Sequence, residues 1–281
     1  MKNIILFFVL LCFSPQDFGK LKVIADLSKS LKEVSGTEII AGSKLIWMLN
    51  DGGNSPKIYG VSKKGNIKKI VKIKAKNNDW EELTSDKEGN LYIGDFGNND
   101  NKRKNLAILK VAHKDFMNSK SVPVERIQFQ YPNQKKFPPK KKHRFFDAES
   151  FFYHNDSFYI FTKSRVKNEY GKTSLYKIPA TLGTHEAEYI STFNNCQTLH
   201  CWITSADISN DGTKVVLLSH TSVLLFSNFK GDDFFSGEMT EIPFKEHSQK
   251  EGVCFKNDTT LFITDEKAHG AGGNLYELNL N

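Results

Sequence analysis

The stretch LIWMLND (residues 45–51) is an apolar strand that ends in polar residues, and it recurs four more times along the chain. The other copies read LYIGDFG (91–97), FYIFTKS (158–164), VVLLSHT (215–221) and LFITDEK (261–267). A further strand follows each copy after a short polar gap: KIYGV (57–61), AILKV (107–111), SLYKI (174–178), VLLFS (223–227) and NLYEL (274–278). A unit of about 45 residues with several short strands is typical of a β-propeller.

The repeats predict an all-β fold of five four-stranded blades in a single domain over residues 20–281. The last blade has only three strands before the chain ends. The segment KVIADLS (22–28) belongs to no other blade, and we expect it to pair as the outer strand of that blade, which would remove an exposed sheet edge. Six blades are the alternative, with a degenerate blade within 95–147 or 163–202.

The first residues, MKNIILFFVLLCFSPQD, predict a secretory signal peptide over residues 1–14. Lys2 supplies the positive charge, and an apolar run too short to span a bilayer follows it. Cys12 raises the alternative of a lipoprotein, but Leu11 stands where lipidation requires a small residue. We therefore expect an extracytoplasmic protein, periplasmic or secreted, that is monomeric and has no membrane span.

Three cysteines remain after the signal peptide. Cys196 and Cys201 flank a short loop, and an oxidising compartment favours a disulfide between them. Zinc is disfavoured there because His200 is the one nearby additional ligand. Cys254 lies in an apolar strand and is expected to be a buried free thiol.

The chain has a net charge of +7, and its one dense basic cluster is KKFPPKKKHR (135–144). The two prolines in this cluster indicate an exposed loop between two blades. Such a loop is either simply solvated or contacts an anionic surface polymer or nucleic acid; for the protein as a whole we expect no nucleic-acid partner.

Acidic residues recur on the first strand of four of the five units, and this strand lines the axis of a propeller. Glu81, Glu149 and Glu251 share one position relative to the apolar residue that follows, Asp207 falls one place later, and blade one has Ser35. The ends of the second strands are also polar: Asn50, Asp95, Thr162, Ser219 and Asp265, followed in four blades by Asp51, Lys163, His220 and Glu266. Converging carboxylates repel one another unless a cation, water or raised pKa values relieve them.

Three interpretations of this acidic ring remain open. It binds a divalent cation, for which oxygen ligands favour calcium; it is catalytic, with paired carboxylates as acid and base of a phosphoester, ester or glycoside hydrolase; or its acids only bond to backbone amides, in a protein-interaction scaffold. The residues predicted to hold the cation are Glu81, Asp95, Glu149, Asp207 and Glu251. No G-x-S-x-G, P-loop, G-x-G-x-x-G or H-E-x-x-H motif occurs in the sequence.

The stretch DWEELTSDKEGNLYIGDFGNNDNKR (79–103) resembles the Asp-Trp-Glu-Asp and Gly-Asp-x-Gly-Asp-Asn signature of a family of exported bacterial propellers, loosely related to esterase-like phytase propellers. Later segments match in order, including DAESFFY, ITSADISNDGTKVVL and KEGVCF. The chain departs from the signature at Glu82 and Asn98, where the family has Asp.

The resemblance implies a set of functional positions. Beyond the five carboxylates above, it marks Asp79 and the residues expected to contact a small polar or carbohydrate ligand: Asn50, Asp51, Trp80, Asn98, Asn99, Arg103, Asp147 and Lys163. The family relationship implies an esterase, but the sequence contains no serine nucleophile paired with a base. The sequence thus leaves the activity open.

Overall fold

The computed structural model describes residues 20–40, 42–245, 248–268 and 270–280. The predicted signal peptide lies outside the described residues. The described chain forms five sheets, named blade one to blade five in chain order, in a propeller arrangement. The innermost strands of the five sheets contact one another in cyclic order, and blade five contacts blade one.

Each blade is built outward from a strand at the axis. From the axis outward, blade one contains Val34–Glu38, Ile46–Asn50, Lys57–Val61, Ile67–Ile73 and Ser121–Val122. Blade two contains Trp80–Ser85, Leu91–Asp95, Ala107–Val111, Glu125–Gln130 and Gly183–Glu186. Blade three contains Asp147–His154, Ser157–Lys163, Lys172–Pro179 and Glu188–Asn194. Blade four contains Ile203–Ile208, Lys214–Ser219, Ser222–Ser227 and Glu238–Pro243. Blade five contains Lys250–Asn257, Thr260–Asp265, Asn274–Asn279 and, at its outer edge, Lys22–Asp26.

Two blades differ from the four-stranded prediction. Ser121–Val122 adds to the outer edge of blade one and Gly183–Glu186 to that of blade two, both in parallel register. Each added strand comes from the connection between the third and outer strands of the following blade, so it caps an edge that would otherwise expose unpaired backbone groups. The strand Lys22–Asp26 pairs antiparallel with Asn274–Asn279.

Helical structure is limited to the connections. In the described ranges it comprises one α-helix, His113–Asn118, and four 3₁₀ turns: Lys29–Leu31, Lys141–His143, Leu199–Cys201 and Phe234–Ser236. In the described part of the chain, no helix has the length and hydrophobicity needed to cross a membrane.

The core consists of five apolar layers, one between each pair of neighbouring blades. Strand residues alternate between the two layers that flank their sheet: in blade three, Phe151 packs toward blade two and Phe152 toward blade four. The aromatic residues fill these layers, as in the edge-to-face contact of Phe96 with Phe151, whose ring centroids lie 5.2 Å apart. Cys254 is buried as a free thiol in the layer between blades five and one, as predicted.

The predicted disulfide between Cys196 and Cys201 is present, with their Cα atoms 5.7 Å apart. The bond closes the loop that leads from blade three into Trp202 and the inner strand of blade four. The peptide groups of Gly171 and Cys196 also hydrogen-bond, which ties this loop to the third strand of blade three.

Candidate metal site

Each inner strand carries a β-bulge at the same height, close to where the strand begins. The pairing with the second strand shifts by one residue there in all five blades. The residues at this height are Ser35, Glu81, Glu149, Thr204 and Glu251. A bulge leaves one residue outside the ladder and redirects its side chain. The sequence alignment was therefore correct for blades one, two, three and five, whereas in blade four the equivalent residue is Thr204.

Three carboxylates converge beside this height, between blades one and two. One oxygen from each of Asp51, Asp79 and Glu81 lies within 4.8 Å of the others, and the group could hold a metal ion. Glu81 is buried and the other two are half-buried. None of the three forms an ion pair with a basic side chain of the described chain. We call this group the carboxylate triad.

The loop before blade two positions the triad. Asn77 accepts a hydrogen bond from the backbone N–H of Trp80 at 3.0 Å and donates one to the carbonyl oxygen of Asp51 at 2.9 Å. The N–H of Asp79 donates to Asp95 at 3.3 Å, and the carbonyl oxygen of Asp79 accepts from the N–H of Gly97 at 3.2 Å. The loop therefore fixes the ends of two blades relative to each other.

Two glycines make room for the triad. A Cβ added at Gly97 would stand 1.9 Å from Oε1 of Glu81 and 2.6 Å from Oδ2 of Asp79. A Cβ added at Gly52 would stand 2.2 Å from Oδ1 of Asp79. The two glycines thus leave open the space that the carboxylates occupy.

The triad titrates unlike ordinary carboxyl groups. Burial, assisted by the charges of Glu149 and Asp79, raises the pKa of Asp51 to about 7. Burial and the charge of Asp147 raise the pKa of Asp79 to about 6. Burial and the charge of Asp51 raise the pKa of Glu81 well above its usual range. A bound cation would reverse these shifts, because it would stabilise the ionised forms.

The neighbouring carboxylates Asp95, Asp147 and Glu149 are neutralised by bases. Arg103 donates to Oδ1 of Asp95 at 3.0 Å, and Arg165 donates to Oδ2 of Asp147 at 2.6 Å. The buried acids of this group already have their counter-charge, which distinguishes them from the triad.

Glu149 is held between two cations. Arg165 donates to its Oε1 at 3.0 Å, and Lys163 forms an ion pair with its Oε2. Burial acts to raise the pKa of Glu149, but the charges of Lys163 and Arg165 outweigh burial and lower this pKa. The indole of Trp202 lies against both bases, with Nζ of Lys163 and Cζ of Arg165 each 4.8 Å from the ring.

Glu251, on the inner strand of blade five, pairs with a histidine. Nε2 of His220 is 3.2 Å from Oε1 of Glu251. His220, His200 and Glu266 line a cavity of about 250 Å³ beside this pair. Burial, together with the charge of Glu251, raises the pKa of Glu266 to about 8.

The remaining predicted ligand-binding residues have structural contacts. Trp80 is fully buried in the core, and Asn50 donates to the carbonyl oxygen of Ser30 at 2.8 Å. Asn98 is also buried, and it bonds the backbone of Phe146 and Arg103. Asn99 is exposed and its side chain accepts a hydrogen bond from Arg165.

Asp207 does not join the other acids, which corrects the predicted four-carboxylate cluster. It lies three residues beyond Thr204, near the opposite end of the inner strand, where its carboxylate accepts from the backbone N–H groups of Phe255 at 2.7 Å and Ile208 at 2.8 Å. There Asp207 and Glu38 line a separate cavity of about 400 Å³. Burial raises the pKa of Asp207 to about 7.

Glu82 lies on the inner strand of blade two, between the end of the axis with the carboxylate triad and the end with Asp207. It is fully buried, and its carboxyl group accepts from the N–H groups of Thr37 at 3.3 Å and Leu83 at 2.9 Å and from the hydroxyl of Ser205. Ser205 in turn accepts from the N–H of Val253 at 2.9 Å. Glu82 thus links blades one, two and four, and Ser205 extends the link to blade five.

Arg165 and Trp202 are the site residues that sequence reasoning missed. Arg165 follows Lys163 by two residues, just beyond the end of the strand that pairs with the inner strand of Glu149. A second base near Glu149 could therefore have been predicted from the sequence. Trp202 directly precedes the inner strand of blade four, the place that Asp79 occupies in blade two. Aligning the residues before the inner strands would have selected it.

Comparison with known proteins supports the fold. A gluconolactonase of Xanthomonas campestris, XC5397, is 12% identical over 93% of this chain and 89% of its own, with a TM-score of 0.50. Virginiamycin B lyase of Staphylococcus aureus is 13% identical over 89% of this chain and 67% of its own, with a TM-score of 0.43. No family model matches the sequence, and no curated protein is similar to it. At 12% identity the likeness to the gluconolactonase concerns the fold alone.

Proposed function

We propose that the protein binds a divalent cation, calcium, through Asp51, Asp79 and Glu81. The observation that carries this proposal is the absence of a described basic partner for three carboxylates whose oxygens lie within 4.8 Å of one another. Two ionised carboxylates at such a separation repel by about 3 kcal/mol at an effective dielectric of 20. The neighbouring Glu149 pairs with Lys163 and Arg165, whereas Arg103 acts on Asp79 only from beyond ion-pair distance and no described base pairs with the triad.

The donor set favours calcium over a transition metal. All three ligands are carboxylate oxygens, which suit a hard cation, whereas zinc prefers histidine and cysteine. His220 is engaged with Glu251 and contributes nothing to the triad. Three protein oxygens leave positions for water or for polar groups of a ligand, so a small polar or carbohydrate ligand would complete the coordination sphere at the channel mouth.

The test is a thermal-denaturation series with calcium, magnesium or manganese. At a calcium concentration of about one hundred times Kd, binding stabilises the fold by about 2.7 kcal/mol, which corresponds to a rise in Tm of roughly 5–10 °C for a chain of this size. Asp79→Asn and Glu81→Gln should abolish the rise. Asp100→Asn is the control, because Asp100 is exposed and pairs with Lys102. No rise with any of the three ions would reject the proposal.

A hydrolase is the second candidate, and the His220–Glu251 pair favours it. A neutral imidazole beside a carboxylate is suited to take a proton from water, since the carboxylate stabilises the imidazolium that forms. The water would attack a carbonyl or phosphoryl centre in the adjacent cavity, and protonated Glu266 would give its proton to the leaving oxygen. The assay is hydrolysis of ester, lactone and phosphoester substrates; loss of turnover in His220→Ala and Glu266→Gln would support this candidate, and equal turnover would exclude it.

We also propose that the protein belongs to the exported propeller family that its sequence resembles and works outside the cytoplasm. The support is the signature at 79–103 together with the disulfide at Cys196, which forms in oxidising compartments. Cell fractionation and mass determination of the mature N-terminus would test export. A full-length cytoplasmic protein would contradict it.

A further inference from the structure

The loop 135–144 carries most of the chain's excess positive charge. It contains Lys135, Lys136, Lys140, Lys141, Lys142 and Arg144, and no acidic residue occurs from 126 to 146. The whole chain has 39 basic and 32 acidic residues, so six of its seven excess charges lie in this loop. The charge is therefore a local feature of one surface.

The loop is an ordered part of the fold. The buried amide of Gln134 donates to the carbonyl oxygen of Asn101 at 2.8 Å, and the side chain of Asn101 accepts from the N–H of Phe146 at 2.8 Å. At its end, the carbonyl oxygen of Arg144 accepts from the N–H of Arg165 at 2.9 Å. Both ends are thus anchored beside the network of Arg165, on the face that holds the carboxylate triad.

The lysines of the loop extend into solvent without counter-charges. All five are exposed, and none forms an ion pair with any acid in the described ranges. Phe137 lies beneath Lys104, whose Nζ is 5.2 Å from the ring, and together with Arg103 they line a cavity of about 160 Å³ at the base of the loop. Basic groups thus continue from the loop tip toward the axis.

We propose that the loop 135–144 binds a flexible anionic polymer of repeating phosphates. A bound polyanion would reduce the repulsion among these crowded, unpaired lysines, and its own counterions would be released on binding. Lysine recognises phosphate as a point charge and needs no fixed geometry. The 3₁₀ turn Lys141–His143 has about three residues per turn, so consecutive side chains point about 120° apart. A chain that bends around the loop reaches all of them, whereas a straight duplex reaches one side.

The experiment measures Kd for long-chain inorganic polyphosphate as a function of salt, with the metal site left intact. Lys140→Glu, Lys141→Glu and Lys142→Glu combined should weaken binding by roughly a hundredfold and reduce the salt slope by about two. The matched control combines Lys63→Glu, Lys64→Glu and Lys68→Glu, which changes the net charge equally at exposed lysines of blade one. The control should keep its affinity within about threefold.

Two comparison polymers define the outcome. Duplex DNA and poly-glutamate should each bind more weakly than polyphosphate at equal salt. Equal weakening in the two triple variants would overturn the proposal, because net charge alone would then explain binding. Equal affinity for duplex DNA would also overturn it in favour of a nucleic-acid partner, and equal affinity for poly-glutamate would remove the preference for phosphate.

Discussion

Gly97 and Glu81 approach so closely that a side chain at position 97 would displace the carboxylate of Glu81. A Cβ there would stand 1.9 Å from Oε1 of Glu81, well inside van der Waals contact. The glycine belongs to the connection after the second strand of blade two, and the glutamate belongs to the bulge of the inner strand of the same blade. The close approach is what lets Glu81 and Asp79 share one space.

The first prediction follows from this contact. Gly97→Ala should displace the carboxylate of Glu81 and abolish the rise in Tm with calcium, while the protein still folds. Gly42→Ala is the control: its Cβ would meet nothing within 4 Å, but its φ of +76° imposes strain of about 1 kcal/mol. If both variants kept the full calcium response, Glu81 would not be a ligand.

A second prediction concerns pH. The pKa of Asp51 is about 7 and that of Asp79 about 6, both above the usual 3.8. Calcium needs the ionised forms, so its affinity should rise as pH increases through 6–7 and level off above that range. The measurement is the calcium-induced change in Tm at about pH 5, 6, 7 and 8.

The ion-free protein should show the opposite trend. A raised pKa in the folded state means that bound protons stabilise the fold, and this contribution is complete below about 3.8 and is lost as pH rises through about 7. Stability without calcium should therefore decline over the range in which the calcium effect grows. A calcium effect that did not vary between about pH 5 and 8 would contradict the assignment of Asp51 and Asp79.

The third prediction concerns the ion pair of Lys163 with Glu149. Lys163→Met removes one partner of a buried pair and should destabilise the fold by about 3 kcal/mol in urea denaturation. Adding Glu149→Gln should recover part of this loss, because it removes a buried carboxylate that Arg165, shared with Asp147, would otherwise balance alone. If the double variant lost the sum of the two single effects, the pair would not be coupled. The calcium response of Lys163→Met should remain.

The repeat made the fold and part of the site predictable from sequence. Strand alternation identified the five blades, and the recurrence of an acid before the same apolar residue identified Glu81, Glu149 and Glu251 at one height. The sequence could not distinguish a free acid from a neutralised one. That difference depends on Arg103 and Arg165, which reach Asp95 and Asp147 from connections whose paths the strand repeat does not specify.

The meeting of Asp51 and Asp79 could not be predicted from the strand repeat either. Each follows or precedes a strand, where a polar residue is ordinary, so the strand repeat does not indicate an ion site there. The family resemblance marks both positions but does not assign either to a cation. They meet because Asn77 joins the connections of two neighbouring blades through its bond to the carbonyl oxygen of Asp51. Contacts of this kind arise between repeats and are therefore invisible in the alignment of one repeat with another.

The last prediction tests the corrected position of Asp207. The bulge places Thr204 at the height of Glu81, and Asp207 lies at the opposite end of the axis, beyond the Glu82 carboxyl group that accepts from Ser205. Asp207→Asn should therefore leave the calcium-induced rise in Tm unchanged. It should also flatten the pH dependence of stability, because the pKa of Asp207 is raised to about 7 and its protons stabilise the fold only below that pH. The measurements are the calcium response at about pH 7.5 and ion-free denaturation from about pH 4 to 8. Loss of the calcium response in this variant would mean that the two ends of the axis communicate through Glu82, and Glu82→Gln would then be expected to share the defect.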